Sequence, residues 1–296
     1  MPSWNEIVNE INTSPSKFAY DETRQKYIKK LTEKTDRNVI AYYSGWLQNP
    51  NASETSISDV DKNSLMATVH GLDRDKGLDL ILHTPGGQTA AAESIVDYLH
   101  TMFNNDIRAI VPQLAMSAGT MIACACKEII MGKHSSLGPI DPQFNGIPAT
   151  GVIEEFQRAY EEIKADPAKG PVWQVIISKY HPTFLGECQK AIEWSKKIVE
   201  DWLRECMFEG DGENVDTIVN ALADHSEMKS HSRHISMEQC KQIGLKIVEL
   251  EADQDLQDIV LSIHHTYMYT LSSNQGIVKI VENQNDMRVV ERINVN

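Results

Sequence analysis

Two short apolar runs, Leu78, Leu80, Ile81 and Leu82 and then Ile107, Ala109, Ile110 and Val111, each end in a small-residue turn that leads into helix-forming sequence. The first turn reads His83-Thr84-Pro85-Gly86-Gly87 and the second Ala115-Met116-Ser117-Ala118-Gly119-Thr120. Buried strands joined through a helix place their exits side by side, so the spacing predicts two adjacent strand-to-helix turns. A Gly-Gly turn lets backbone N–H groups approach a ligand without Cβ obstruction. A serine between a strand end and a helix N-terminus sits where backbone donors and the helix dipole favour negative charge. Together they describe a nucleophile beside an oxyanion hole. Either turn alone supports less: Pro-Gly-Gly occurs in ordinary turns, and a serine opening an apolar helix commonly serves as an N-cap.

The rest of the chain organises around these turns. Helices are expected over 3–12 and 20–35, a strand over 38–44, a helix over 57–72 opened by Ser56, and a strand over 77–83. An amphipathic helix over 88–104 carries Ala91, Ile95, Tyr98 and Leu99 on one stripe. A strand at 107–112, a helix at 117–125 and a short strand at 127–131 follow. Alternation at this spacing predicts a largely parallel sheet covered by helices. Beyond Pro142 the pattern turns helical over 151–165, 171–180, 182–208 and 214–223, interrupted at Pro167, Pro171 and Pro182. Ser236 to Leu245 reads as a capped helix closed by Gly244, followed by a strand at 246–248. A long helix at 253–271 and a hairpin pairing 276–283 with 287–293 end the chain.

Several separate stretches share one resemblance. They are Ser3-Trp4-Asn5-Glu6-Ile7, Asn38-Val39-Ile40-Ala41-Tyr42-Tyr43-Ser44, the two turns, His134-Ser135-Ser136-Leu137-Gly138-Pro139-Ile140-Asp141-Pro142-Gln143, and Ser230-His231-Ser232-Arg233-His234-Ile235. The chain resembles the Clp protease/crotonase superfold and, more closely, the serine dehydrogenase proteinase family, which is related to the signal peptide peptidase A group. The resemblance implies an α/β fold with a mainly parallel sheet, helices packed around it and additional helices at both ends. It further implies one domain over 1–296, with an N-terminal helical extension (1–36) and a C-terminal helix plus hairpin (253–296). Ser117 is then the nucleophile of a serine peptidase, and the N–H groups of Gly87 and Ala118 form the oxyanion hole. No Gly-x-Gly-x-x-Gly turn opens a first βαβ unit, so the word dehydrogenase in the family name has no nicotinamide-binding counterpart in these residues.

A serine hydroxyl needs a base near neutral pH, and three candidates stand in the sequence. The register in which Clp proteases carry their histidine falls here on Ile140-Asp141-Pro142-Gln143, which contains none. A lysine, as in signal peptide peptidases, would work if its surroundings depressed its pKa. Lys169, in the Pro/Gly-bounded segment Asp166-Pro167-Ala168-Lys169-Gly170-Pro171, is the first choice, and Lys164 on the preceding helix is the fallback. His134 is the third candidate, with Asp141 able to orient such a base or to cap a strand end.

His225, His231 and His234 follow no helical or finger metal-ligand spacing, and in a Ser-rich loop they read as caps and exposed residues. His264 and His265 are adjacent on a helix and face different directions. No metal and no cofactor is expected. The cysteines, Cys124, Cys126, Cys188, Cys206 and Cys240, lack paired spacing and read as packing residues.

With 28 basic against 42 acidic residues and a net charge of −14, nucleic acid and anionic membranes are poor partners. No run of about 18 apolar residues and no leader-like N-terminus occurs, which predicts a cytoplasmic chain without a membrane span. The expected substrate is a peptide or protein. The expected assembly is a homo-oligomer, a trimer or larger, because apolar residues such as Trp173, Ile176, Ile177, Tyr180 and Trp194 crowd the helical segment. Two other readings of the same fold remain: an acyl-thioester-binding protein of the crotonase branch, and an inactive oligomeric scaffold.

Overall fold

The computed structural model describes residues 4–223 and 230–293. Ser3 and His225 lie outside them. Strands β1 (Asn38–Ser44), β2 (Leu78–His83), β3 (Ile107–Val111) and β5 (Ile129–Met131) form the parallel centre of a seven-stranded sheet, joined at one edge by β10 (Ile247–Glu249). On the other side β11 (Ile277–Asn283) and β12 (Arg288–Arg292) add antiparallel, so the sheet order is β10-β5-β3-β2-β1-β11-β12. The expected α/β architecture with a mainly parallel sheet is present.

The period of two along each strand divides the core. Ile40, Tyr42, Leu80, Leu82, Ala109 and Val111 face one side and pack against α4 (Thr89–Phe103), α5 (Ala118–Cys124), α8 (Phe184–Trp202) and α9 (Val215–Ala223). Val39, Ala41, Tyr43, Ile81 and Ile110 face the other side, beneath α2 (Ala19–Thr35) and the helix Gln254–Ser273. Both faces being covered accounts for strands that read as continuous apolar runs. Most element bounds match the sequence expectation within two or three residues. The helix that closes the core, Met237–Ile243, carries the anticipated cap, with Ser236 and Gln239 bonding reciprocally and Gly244 left-handed at φ 108°.

One departure matters. The helix expected from residue 57 begins only at Val60 (α3, Val60–Val69), and Ile57 instead forms a parallel β-bridge with Gly87. Tertiary pairing has claimed a residue that a helical pattern would otherwise include. The segment α6 (Ala149–Ala165) and the first half of α8 form a separate small cluster built on Ala149, Val152 and Cys188, and α7 (Gly170–Ile177) packs on α6.

Candidate active site

The two turns identified in the sequence are hydrogen-bonded to each other. Thr84 N–H donates to Leu114 O at 3.0 Å and Met116 N–H to Thr84 O at 3.0 Å, so the exits of β2 and β3 run side by side. Gly86 lies against the serine: a Cβ there would stand 2.6 Å from Met116 O and 2.7 Å from Ser117 Cβ, and its φ is 93°. Only glycine satisfies both conditions. Gly119 is similarly constrained, because a Cβ would come 2.5 Å from Thr84 Cγ2.

Ser117 occupies the N-cap position of α5 with φ 50° and ψ −117°, a conformation that L side chains rarely adopt. Its side chain makes no capping hydrogen bond. The ordinary use of a serine at this position is therefore not the use made of it here. The residue sits instead on a strained strand-to-helix elbow, a backbone setting that can present a nucleophilic hydroxyl.

The Gly86-Gly87 turn is fixed from its other side. Ile57 N–H donates to Gly86 O at 2.8 Å, and Gln88 N–H donates to Ile57 O at 2.9 Å. A trans peptide points its C=O and N–H in opposite directions, so holding Gly86 O toward Ile57 turns Gly87 N–H away from it. Among the described residues, neither Gly87 N–H nor Ala118 N–H donates a hydrogen bond. Both donors remain available to a ligand.

These turns line a cavity of about 680 Å³, whose wall includes Ile57, Gly86, Gly87, Ser117, Asp141 and His231. Asp141 is buried and accepts a hydrogen bond from His231, with Nδ1 and Oδ1 2.7 Å apart. A carboxylate can only accept, so Nδ1 carries a proton, and it is the neutral form of this tautomer that has its lone pair on Nε2. The loop bearing Asp141 is clamped on three sides. Thr120 Oγ1 accepts from Gly138 N–H at 2.8 Å, Ser195 Oγ donates to Ile140 O at 2.7 Å, and Ile140 N–H donates to Leu222 O at 3.1 Å.

The sequence reading of His231 as a cap or solvent-exposed residue is thereby corrected: its side chain is 21% exposed and bonded to a buried carboxylate. The missed signal lay in the Ser-His-Ser-Arg-His stretch itself, whose order no cap or turn rule requires. His134 and His234 are exposed and do not line the cavity. Lys169 forms a half-exposed ion pair with Glu162 at 3.3 Å, and Lys164 lies over the Tyr160 ring. Neither lysine lines the cavity within one chain. All five cysteines are buried, and burial pushes the Cys240 thiol up to about 12 and Cys206 up to about 11. Such thiols make poor nucleophiles.

Comparison with known proteins gives this geometry a family context. The family model described as ClpP-like SDH-type serine proteinase matches residues 14–287. Two uncharacterized proteins of Methanocaldococcus jannaschii are 31% and 30% identical to the chain over 187 residues. The alignments cover 63% of this chain and 59% and 57% of those relatives, so the chain spans under two thirds of their length.

Proposed function

Since the chain belongs to the family of ClpP-like SDH-type serine proteinases, we propose that it hydrolyses peptide bonds with a Ser117–His231–Asp141 triad. Ser117 Oγ attacks the scissile carbonyl while His231 Nε2 takes its proton, and Asp141 holds the resulting imidazolium through Nδ1–H. The N–H groups of Gly87 and Ala118 receive the charge that develops on the carbonyl oxygen. The proton on His231 then passes to the leaving amine. A water molecule deprotonated by the same imidazole releases the acyl group and restores the serine.

The observation that carries this reading is the His231–Asp141 hydrogen bond in the wall of the cavity that also holds Ser117. An imidazole oriented by a buried carboxylate serves proton transfer to and from a nucleophile. A thioester-binding protein or an inert scaffold has no comparable need for one. In this reading His231 takes the place for which Lys169 is the first choice on sequence alone. The sequence order Ser, Asp, His also differs from the Clp order of serine followed by histidine. The cavity lies open beside the two turns, which suits an internal bond of an extended peptide and supports endopeptidase action.

The test is covalent labelling. A fluorophosphonate should add one mass equivalent at Ser117 of the wild-type protein, and His231→Ala should label at least ~10²-fold more slowly. Labelling of His231→Ala at the wild-type rate would remove the triad.

A further inference from the structure

Behind the oxyanion turn lies a buried ion pair that the hydrolytic steps do not use. Lys279 in β11 and Asp61 in the first turn of α3 have side chains 1% and 0% exposed, with Nζ and Oδ1 2.6 Å apart. Burying two charges costs about what their attraction returns, and an apolar pair of similar volume usually does as well for stability. Fold stability alone therefore gives little reason for the pair.

Glu291 adds a second, partly exposed carboxylate with its Oε2 3.5 Å from Nζ, and the backbone contacts of the pair give a different reason for it. Lys279 Nζ donates to Ser56 O at 3.2 Å, and Asp61 Oδ2 accepts from Ser58 N–H at 2.8 Å. Ser44, opposite Lys279 in the β1–β11 register and fully buried, donates its Oγ to Thr55 O at 2.7 Å. Three buried side chains thus hold the backbone immediately before and after Ile57. Ile57 in turn holds Gly86 O and Gln88 N–H, and so fixes the peptide plane that aims Gly87 N–H. Gly87 packs so closely on this support that a Cβ placed on it would lie 2.3 Å from Ile57 O.

We propose that Lys279, Asp61 and Ser44 are positioning residues for the oxyanion hole, acting through the 55–58 segment on the Gly87 N–H. The inference rests on the serine-peptidase reading. A loop segment has no periodic ladder of its own to fix its carbonyls, and fixed charges in a low-dielectric interior hold a backbone group more firmly than neutral partners do.

The decisive comparison uses Lys279→Met/Asp61→Leu, which removes both charges together, alongside Ser44→Ala and Asp61→Asn, all at matched folded fraction. Three quantities are measured: the fluorophosphonate labelling rate at Ser117, kcat and KM on a fluorogenic peptide, and amide hydrogen exchange at Ile57 and Gln88. The double variant should lose about tenfold or more in labelling rate and kcat, short of the ~10²–10³ expected for complete loss of an oxyanion donor. KM should stay within about twofold, and the Ile57 and Gln88 amides should exchange faster. Ser44→Ala should lose a few-fold in kcat.

Folded variants with wild-type labelling and kcat would overturn the inference, as would a fall in rate matched by a rise in KM. If the double variant does not fold, the same criteria apply to Ser44→Ala and Asp61→Asn. Failure of the wild-type protein itself to label would end the peptidase reading and this inference with it. Labelling of wild type and variants alike would end only the inference.

Discussion

His231 Nδ1 and Asp141 Oδ1 stand 2.7 Å apart although 90 residues separate them in the chain. Asp141 comes from the loop after β6 (Ser136–Leu137), and His231 precedes β9 (Ile235–Ser236). Those two strands pair, Ser136 opposite Ser236 and Leu137 opposite Ile235, in a small sheet that also includes β4 (Leu114–Ala115), just ahead of Ser117. One three-stranded sheet therefore carries all three proposed catalytic side chains within six residues of its strand ends.

Removing the base should separate the candidates. His231→Ala is expected to lower kcat by ~10²–10⁴, the usual contribution of a general base, and Asp141→Asn by a comparable factor through loss of the correct tautomer. Lys169→Met should stay within about twofold of wild type. Steady-state hydrolysis of a fluorogenic peptide checks this, and a collapse of kcat in Lys169→Met with His231→Ala unaffected would restore the lysine.

The strained elbow predicts an unusual stability result. Ser117→Ala should abolish hydrolysis while changing stability by less than about 1 kcal/mol, because the hydroxyl makes no capping bond. Ser117→Gly should be inactive yet more stable by about 1 kcal/mol, since glycine relieves the φ 50° strain at some cost in unfolded-state entropy. Urea unfolding distinguishes the three proteins.

Gly87→Ala places a methyl group where Ile57 O would be 2.3 Å away. The bridge to Ile57 must open, and turnover should fall roughly 10²-fold as the donor moves out of line. Activity measured at matched folded fraction checks this; normal turnover would take Gly87 out of the site.

Acid should destabilise the fold through histidines outside the proposed triad. His83 is fully buried beside Trp46 and Tyr43, and burial holds it neutral with a pKa down to about 3. Burial shifts His264, on the helix Gln254–Ser273, in the same direction. Both imidazoles charge freely in the unfolded chain near pH 6.5, so the unfolded state binds more protons below that value. Stability should therefore fall as pH drops from about 6.5 toward about 3, with His83 contributing on the order of 4 kcal/mol. Chemical denaturation across that range should show the loss, and His83→Phe should flatten it.

Assembly is the remaining expectation. Val172 and Val175 on α7 and Tyr160 on α6 are 63%, 62% and 60% exposed, whereas Trp173 turns inward and donates to Glu162. Of the apolar side chains foreseen for this surface, Trp194 is exposed and Trp173 is buried, and Val172, Val175 and Tyr160 add to the exposed set. Light scattering at micromolar concentration should give three chains or more, and Val172→Glu/Val175→Glu should shift the mass downward. A fully active 33.3 kDa monomer would defeat the assembly proposal.

What the sequence determined by itself was local. The run of apolar residues in 78–82 and 107–111 specifies strands buried on both faces, and Gly-Gly and Ser-Ala-Gly at their exits specify the turns. Those features depend only on periodicity and on which residues tolerate a positive φ or a close approach, and both are written in consecutive residues. Tertiary structure decided the rest. Ile57 left a helical pattern to bridge Gly87, and His231 left an apparently exposed polar loop to meet Asp141. Lys279 and Asp61, 218 residues apart, met inside the core. Each of these pairings joins segments whose separation in sequence carries no periodic signal, and each is favourable only once the sheet has excluded water and the partner group is in place.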